Sequence, residues 1–221
     1  MKRVIITGAS DGLGLELAKS FLKKGYEVLS VSRRNPNLKG VIHLKTDLTK
    51  DSDIDKTAEI IKKRFNTFAH LINCAGVINI KPINALDYKE TEKLFRVNAI
   101  APMIFTSRLI DLIKKNEADV VNVGSTVGFK AYEDQCAYGS SKWAVRGLNE
   151  NLRLELKKSK VRVIGFMPGG FKSNFVEKYT GVKADLDPYM EPKDLAKFMI
   201  QILELPKKLV VSEVIINRKS V

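Results

Sequence analysis

Short apolar, β-branched runs alternate along this chain with longer segments whose apolar residues recur every three to four positions. Val4 to Thr7 is the first such run and reads as a buried strand. Leu13 to Lys24 then carries Leu13, Leu17 and Phe21 in one row with Ala18 and Leu22 beside it. Residues three and four apart share a helix face, so this spacing predicts an amphipathic helix, and Gly25 ends it. Further strands are predicted at Glu27 to Ser32, Val41 to Thr46, Ala69 to Asn73, Asp119 to Val123, Val161 to Met167 and Leu209 to Ile216. Helical patterns cover Asp53 to Phe65, with Ile54, Ala58, Ile61 and Phe65 facing inward, and Asp87 to Lys115, with a bend near Pro102. Two more cover Tyr138 to Lys158 and Lys193 to Glu204.

Strands separated by helices imply a parallel sheet covered on both faces. Right-handed crossovers turn that into an α/β, doubly wound, mostly parallel seven-stranded sheet of Rossmann type. No repeat, low-complexity tract or linker divides residues 1–221, so one domain is expected. The one long irregular stretch, Phe171 to Glu191, is a candidate lid, since long loops in compact domains are usually functional.

Composition narrows the function classes. The chain is 44% hydrophobic and 29% charged, which is globular rather than disordered. No run is apolar enough to span a bilayer. Met1-Lys2-Arg3 leads straight into the first strand without the apolar core of a signal peptide, so a cytoplasmic setting is expected. Two cysteines, Cys74 and Cys136, and two distant histidines, His43 and His70, offer neither a disulfide framework nor a metal cluster. The net charge of +13 could serve nucleic acid, an anionic surface or an acidic partner. The lysines, however, cluster in pairs at the ends of amphipathic helices, where they meet the negative end of the helix dipole. No aromatic stacking platform lies among them, so neither nucleic acid nor a membrane is expected as a partner.

Three motifs carry chemistry. Thr7-Gly8-Ala9-Ser10-Asp11-Gly12-Leu13-Gly14 follows a strand and opens a helix. Glycines there let backbone approach a pyrophosphate, and the helix N-terminus offers free N–H donors. The spacing G-x-x-x-G-x-G differs from the commoner dinucleotide G-x-G-x-x-G, and a glycine-rich turn without ligand is the alternative. Tyr138 and Lys142 stand four residues apart and share one helix face, so the ammonium can favour the phenolate and lower the tyrosine pKa. A solvated surface pair is the commoner meaning of that spacing. Ser125 follows the strand Asp119 to Val123, where open α/β sheets place their ligands. Its hydroxyl can donate to a carbonyl oxygen, or simply cap the strand end.

Taken in order, these motifs resemble the short-chain dehydrogenase/reductase family over nearly the whole chain. Asn73-Cys74-Ala75-Gly76 is similar to the family's Asn-Asn-Ala-Gly, with Cys74 as a departure, and Asn98 falls at the family's catalytic asparagine. Ser125 precedes Tyr138 by 13 residues, within the family's usual spacing. The resemblance implies that Asp47 and Leu48 contact the adenine ring, and that Pro168, Gly169 and Ser173 grip the nicotinamide end. It implies a nicotinamide cofactor cradled by Gly8, Ser10, Asp11, Gly12, Leu13 and Gly14, with Asn73, Ala75, Gly76, Tyr138 and Lys142 also in contact. The tip of the second strand carries Arg33 and Arg34 rather than an acid. A guanidinium can clasp a 2′-phosphate, so NADP(H) is expected in preference to NAD(H).

The same resemblance implies a reaction, the interconversion of a carbonyl and an alcohol. Tyr138 acts as acid or base, Lys142 lowers its pKa and holds the nicotinamide ribose, Ser125 polarises the carbonyl, and Asn98 anchors a water beside Lys142. No metal is needed. Val127, Gly128, Phe129, Tyr132 and the 171–191 stretch are expected to shape the pocket for a small-molecule substrate. An acidic acyl carrier protein is a weaker candidate, suggested by charge. Asn217 to Val221 is shorter than the C-terminal segment of many relatives, which leaves oligomeric state between homodimer and homotetramer. The rival is an NADP(H)-binding sensor or regulator without turnover, which need not retain Asn98, Ser125, Tyr138 and Lys142 together.

Overall fold

The structure, a computed structural model, describes residues 2–173, 175, 177, 181, 186 and 189–219. The strands are β1 (Arg3–Thr7), β2 (Glu27–Ser32), β3 (Val41–Lys45), β4 (His70–Asn73), β5 (Asp119–Val123), β6 (Val163–Pro168) and β7 (Glu213–Ile216). They form one seven-stranded sheet in the order β3-β2-β1-β4-β5-β6-β7, every pair parallel. The helices are α1 (Gly12–Lys23), α2 (Asp51–Arg64), α3 (Tyr88–Phe95), α4 (Ala101–Lys115), α5 (Cys136–Leu156) and α6 (Pro192–Leu203).

Alternation along β1 sorts the core into two layers. Ile5 points into a cluster with Ile61, Phe105 and Leu109 of α2 and α4, while Val4 and Ile6 point to Leu17 and Phe21 of α1 and Met199 of α6. Both faces of the strand are therefore apolar, which is why it reads as an unbroken run rather than an alternating one. Each such leucine or isoleucine contributes about 1.5–3 kcal/mol through burial. The helix stripes match expectation: Leu13, Leu17, Ala18 and Phe21 of α1 are buried, as are Ile54, Ala58 and Ile61 of α2.

Three of the differences from the sequence pattern have a physical reason. The long helix is divided just before Pro102, which sits in the first turn of α4. The interruption is a π-helical turn over Arg96–Ile100, with Asn98 buried at its centre. The last strand is shorter than its apolar run, since only Glu213 to Ile216 pair with β6. The sixth begins at Val163, because Arg162 turns under the sheet. There it grips Asp119 through Nε at 2.9 Å and Nη2 at 2.8 Å, and it donates to the carbonyls of Leu203, Leu205 and Leu209. His70 and Lys207 complete this buried cluster on Asp119. Much of the candidate lid between Phe171 and Glu191 lies outside the described residues. Its ends meet in a bridge between Phe171 and Met190.

Parallel strands in level register place all their carboxyl ends on one edge: Thr7 stands beside Asn73, Asn73 beside Asn122, and Pro168 beside Ile216. The chain switches direction between β1 and β4, and ligand crevices of open α/β sheets form beyond such a point.

Candidate active site

The loops leaving β1 and β4 are joined by the Thr7 side chain. Thr7 Oγ1 accepts hydrogen bonds from the N–H groups of Cys74 and Ala75, at 3.0 and 3.1 Å. Because those donors are main chain, Cys74 in place of asparagine leaves this junction intact. Gly8 has φ +72°, and a Cβ there would lie 2.8 Å from Ala75 Cα. A Cβ on Gly14 would lie 2.3 Å from the Gly8 carbonyl oxygen. Only glycine allows α1 to start this close to β1. Asp11 caps the helix, accepting from the Gly12 N–H at 2.9 Å. The positive end of α1 therefore opens on the crevice.

That crevice is a cavity of about 810 Å³ along the carboxyl edge of the sheet. Gly8, Ser10, Asp11, Gly12, Leu13 and Gly14 line it, with Arg33, Arg34, Asp47 and Leu48 at one end. Ala75, Gly76, Pro168, Gly169 and Ser173 line it further along, and Ser125, Tyr138 and Lys142 form a wall. Asn73 is not among the lining residues. It is 3% exposed, and its Nδ2 donates to Asn122 Oδ1 at 2.8 Å and Thr106 Oγ1 at 3.2 Å. Its Nδ2 thus ties β4 to β5 and α4 inside the fold.

Asn98 also stays behind the wall. Its amide accepts from the Val77 N–H at 2.8 Å and donates to the Val77 carbonyl at 2.9 Å and Ser141 Oγ at 3.0 Å. The side chain expected to anchor a water instead clamps the loop after β4 to α5. It remains near the site: a Cβ on Gly76 would lie 3.5 Å from Asn98 Oδ1 and 3.7 Å from Lys142 Nζ.

Ser125 is both cap and wall. Its Oγ accepts from the Val127 N–H at 3.2 Å, starting a short 3₁₀ turn over Thr126–Gly128. That acceptor bond leaves the hydroxyl hydrogen to donate elsewhere. Tyr138 and Lys142 lie in the first two turns of α5 and are buried, at 7% and 5% exposure. Lys142 Nζ donates to the Val123 carbonyl at 3.3 Å and sits 5.7 Å from the Tyr138 ring centre.

Here burial dominates both groups. Tyr138 packs among Val77, Ile78, Leu94 and Val97, and desolvation pushes its pKa up to about 12; the Ser125 hydroxyl acts the other way but by less. Desolvation likewise pushes Lys142 down, to about 8, with Cys74 opposing it. The expected lowering of the tyrosine pKa by Lys142 is therefore not found in the free protein. The Cys74 thiol is itself held up to about 12 by burial, which keeps it protonated and a poor nucleophile.

At the far end, the Ser32 hydroxyl donates to the Arg34 carbonyl at 2.7 Å and fixes the corner after β2. Arg34 pairs with Asp11 at 3.1 Å, both exposed. Burial raises the Asp47 pKa. The Thr49 N–H and hydroxyl, at 3.1 and 2.8 Å, and then the Arg33 charge, more than offset this and hold it below the usual carboxylate range.

Of the expected substrate-pocket residues, Val127 and Tyr132 line the cavity, together with Phe171, Phe175, Leu186 and Tyr189. Gly128 and Phe129 do not line it. Gly128 packs on the Lys142 backbone, and Phe129 lies under the Arg146 guanidinium at 4.1 Å. Lining residues absent from the sequence reading include Ser32, Thr49, Lys93, Lys130, Asn217 and Arg218. Asn217 and Arg218 follow the carboxyl end of β7, so the same strand-end rule that picked out Ser125 could have found them. Among the described residues no group of three His, Cys, Asp or Glu could hold a metal ion, and no helix is long and apolar enough to cross a membrane.

Comparison with known proteins agrees with the fold. The sequence model of the family described as short chain dehydrogenase matches residues 2–183. An uncharacterized oxidoreductase of Listeria monocytogenes is 28% identical over 193 residues, covering 81% of this chain and 78% of its own. One from Escherichia coli K12 is 28% identical over 206 residues, covering 90% and 76%. Among solved structures, an alcohol dehydrogenase from the archaeon Thermococcus sibiricus, complexed with 5-hydroxy-NADP, has a TM-score of 0.88. It is 23% identical and covers 98% of this chain and 96% of its own. A 4-hydroxyisoleucine dehydrogenase complexed with NADH has a TM-score of 0.87 at 24% identity, covering 99% and 97%. These structural likenesses establish the shared fold.

Proposed function

The chain belongs to the short-chain dehydrogenase family, and from that premise we propose that it is an NADP(H)-dependent oxidoreductase interconverting a carbonyl compound and its alcohol. The reading rests on one observation: Ser125, Tyr138 and Lys142 line a single wall of one cavity at the carboxyl edge of the sheet. The cavity fits a dinucleotide. Gly14 lets the α1 N-terminus start close against the β1 loop beside the cavity, two guanidiniums stand at one end, and about 810 Å³ falls within the roughly 300–1,000 Å³ of ligand sites. Relatives of similar fold have been solved with both NADP-type and NADH cofactors, so the choice of NADP(H) rests on Arg33 and Arg34.

When bound, the nicotinamide supplies the hydride in reduction and takes it up in oxidation. Tyr138 keeps its proton in the resting protein, since its pKa stands at about 12, and so is poised to donate to a carbonyl oxygen. The Ser125 hydrogen donates to the same oxygen and stabilises the charge that develops there. Lys142 is charged below a pH of about 8 and stabilises the phenolate that remains after donation. In oxidation that phenolate takes the alcohol proton. Asn98 is a positioning residue, since it locks the loop at Val77 against α5.

The test is a screen of aldehydes and ketones with NADPH, following the loss of its absorbance, with a parallel titration of NADPH binding. Turnover of at least one compound is expected. Tight NADPH binding with no turnover across the screen would replace this reading with that of a sensor.

A further inference from the structure

The charges that line the cavity are unevenly distributed. Its only acidic lining residues among those described are Asp11 and Asp47, both beside the arginine corner. Asp11 is paired with Arg34, and Asp47 feels the charge of Arg33, so that end is balanced. The half containing Ser125 and Tyr138 is lined instead by Lys93, Lys130 and Arg218, and no described carboxylate lines it.

Each of these cations sits on an element that belongs to the reaction end. Lys93 lies on α3 one turn before Val97, and Val97 packs against Tyr138. Lys130 lies just past the 3₁₀ turn that Ser125 starts, with Nζ 5.7 Å from the Tyr132 ring centre. Arg218 follows β7, whose Ile216 stands beside Pro168, and its guanidinium lies 4.9 Å from the Tyr189 ring centre. The rings hold Lys130 and Arg218 by their faces and leave the N–H donors for a ligand. None of the three has a carboxylate partner among the described residues, while nearby acids are engaged elsewhere: Glu90 with Lys81, Glu92 with Arg96 and Glu191 with Lys172.

We propose that the substrate taken here is an oxo acid or hydroxy acid, whose carboxylate is held by Lys93, Lys130 and Arg218 while its apolar body lies against Tyr132, Phe175 and Tyr189. This rests on the reading of the cavity as an oxidoreductase site and adds the substrate class. A carboxylate can accept from the Arg218 fork with two parallel hydrogen bonds. The three cations are exposed, so each contact contributes about two- to fivefold, and together they favour an anion by about tenfold or more. Screening over about 8 Å at physiological ionic strength makes that preference fall as salt rises.

The experiment uses matched pairs that differ only in the charge: phenylglyoxylate and its methyl ester, and levulinate and its methyl ester. For each, kcat/KM is measured at saturating NADPH, in low and high salt, with wild type and the triple variant Lys93→Ala, Lys130→Ala, Arg218→Ala. The readout is the ratio of acid to ester, which cancels any shared effect on cofactor or fold. An acid preference of about tenfold that shrinks in high salt and in the triple variant is expected. A ratio near one in wild type, or a preference that neither salt nor the triple variant alters, overturns the proposal and leaves the oxidoreductase reading standing. The thermal shift given by benzoate against benzamide, with NADP present, serves where no compound turns over. A larger benzoate shift, lost in the triple variant, supports the anion site while the catalytic reading fails. Equal shifts overturn both.

Discussion

Replacing Arg33 with alanine should separate the two nicotinamide cofactors. Both guanidiniums at the corner after β2 are exposed, and the Arg34 side chain retains 59% of its free surface. Full hydrogen bonds to a charged group contribute about 1.5–3 kcal/mol, whereas exposed ion pairs contribute about 0.2–1 kcal/mol. Arg34 must trade its 3.1 Å contact with Asp11 for any contact with a phosphate, so its net gain is small. Arg33 makes no hydrogen bond or ion pair among the described residues and gives up only its field on Asp47. An intermediate contribution of about 1.4 kcal/mol corresponds to about tenfold. Arg33→Ala should therefore weaken NADPH about tenfold and NADH less than about twofold. Arg34→Ala also removes the Arg34 contact with the Asp11 carboxylate at the cavity, so adding Asp11→Asn should recover part of its loss. Fluorescence titration of both cofactors, at low and high salt, measures this. Equal weakening of NADPH and NADH by Arg33→Ala, or no weakening of either, would refute a reading of the ribose by this corner.

Other expectations concern the chemistry and the scaffold. Tyr138→Phe should lower turnover by about 10²–10⁴-fold while leaving the NADPH dissociation constant within a factor of about two, since only the hydroxyl is lost; turnover near the wild-type rate would remove the tyrosine from the mechanism. The pH profile should follow Lys142: its pKa is depressed to about 8, so the cation that stabilises the phenolate is lost as pH rises through that value, and carbonyl reduction declines. Oxidation needs the phenolate of a tyrosine near 12, so up to that decline it should rise with pH; a flat profile for both directions counts against this pair. At the opposite edge of the sheet, Arg162→Met leaves the buried Asp119 carboxylate without its bidentate partner and should cost about 3–5 kcal/mol in urea denaturation, with cofactor affinity unchanged. A loss under about 1 kcal/mol would mean that His70 and Lys207 suffice.

The site was legible where chemistry depends on position along the chain. Gly8, Gly12 and Gly14 stand at a strand-to-helix turn, Ser125 stands beyond a strand end, and Tyr138 and Lys142 lie one helical turn apart; all of these line the cavity. Legibility failed where a side chain could point either way. Asn73 ends β4 beside the site, yet its side chain turns into the core, where its Nδ2 donates to Asn122. Asn98 was found by resemblance, but its bonds to Val77 and Ser141 depend on the π-helical turn, which no apolar periodicity marks. Lys93 gave no signal, since a lone charged residue in a lysine-rich chain looks like solvated surface.

The sequence by itself determined the alternation of strands and helices, and with it a parallel sheet covered on both faces. Short apolar runs can be satisfied only inside a sheet, and amphipathic stripes only against one. It also determined which strand ends carry glycine, hydroxyl, phenol and ammonium, because in a parallel sheet every strand leaves its carboxyl end on the same edge. Tertiary structure alone decided the protonation of that chemistry. The spacing of Tyr138 and Lys142 promises a lowered phenol pKa, whereas burial among Val77, Ile78, Leu94 and Val97 raises it to about 12 and lowers the lysine to about 8. Desolvation depends on everything packed around a group, and those neighbours come from two separate parts of the chain. Their joint effect on a proton exists only once they have been brought together.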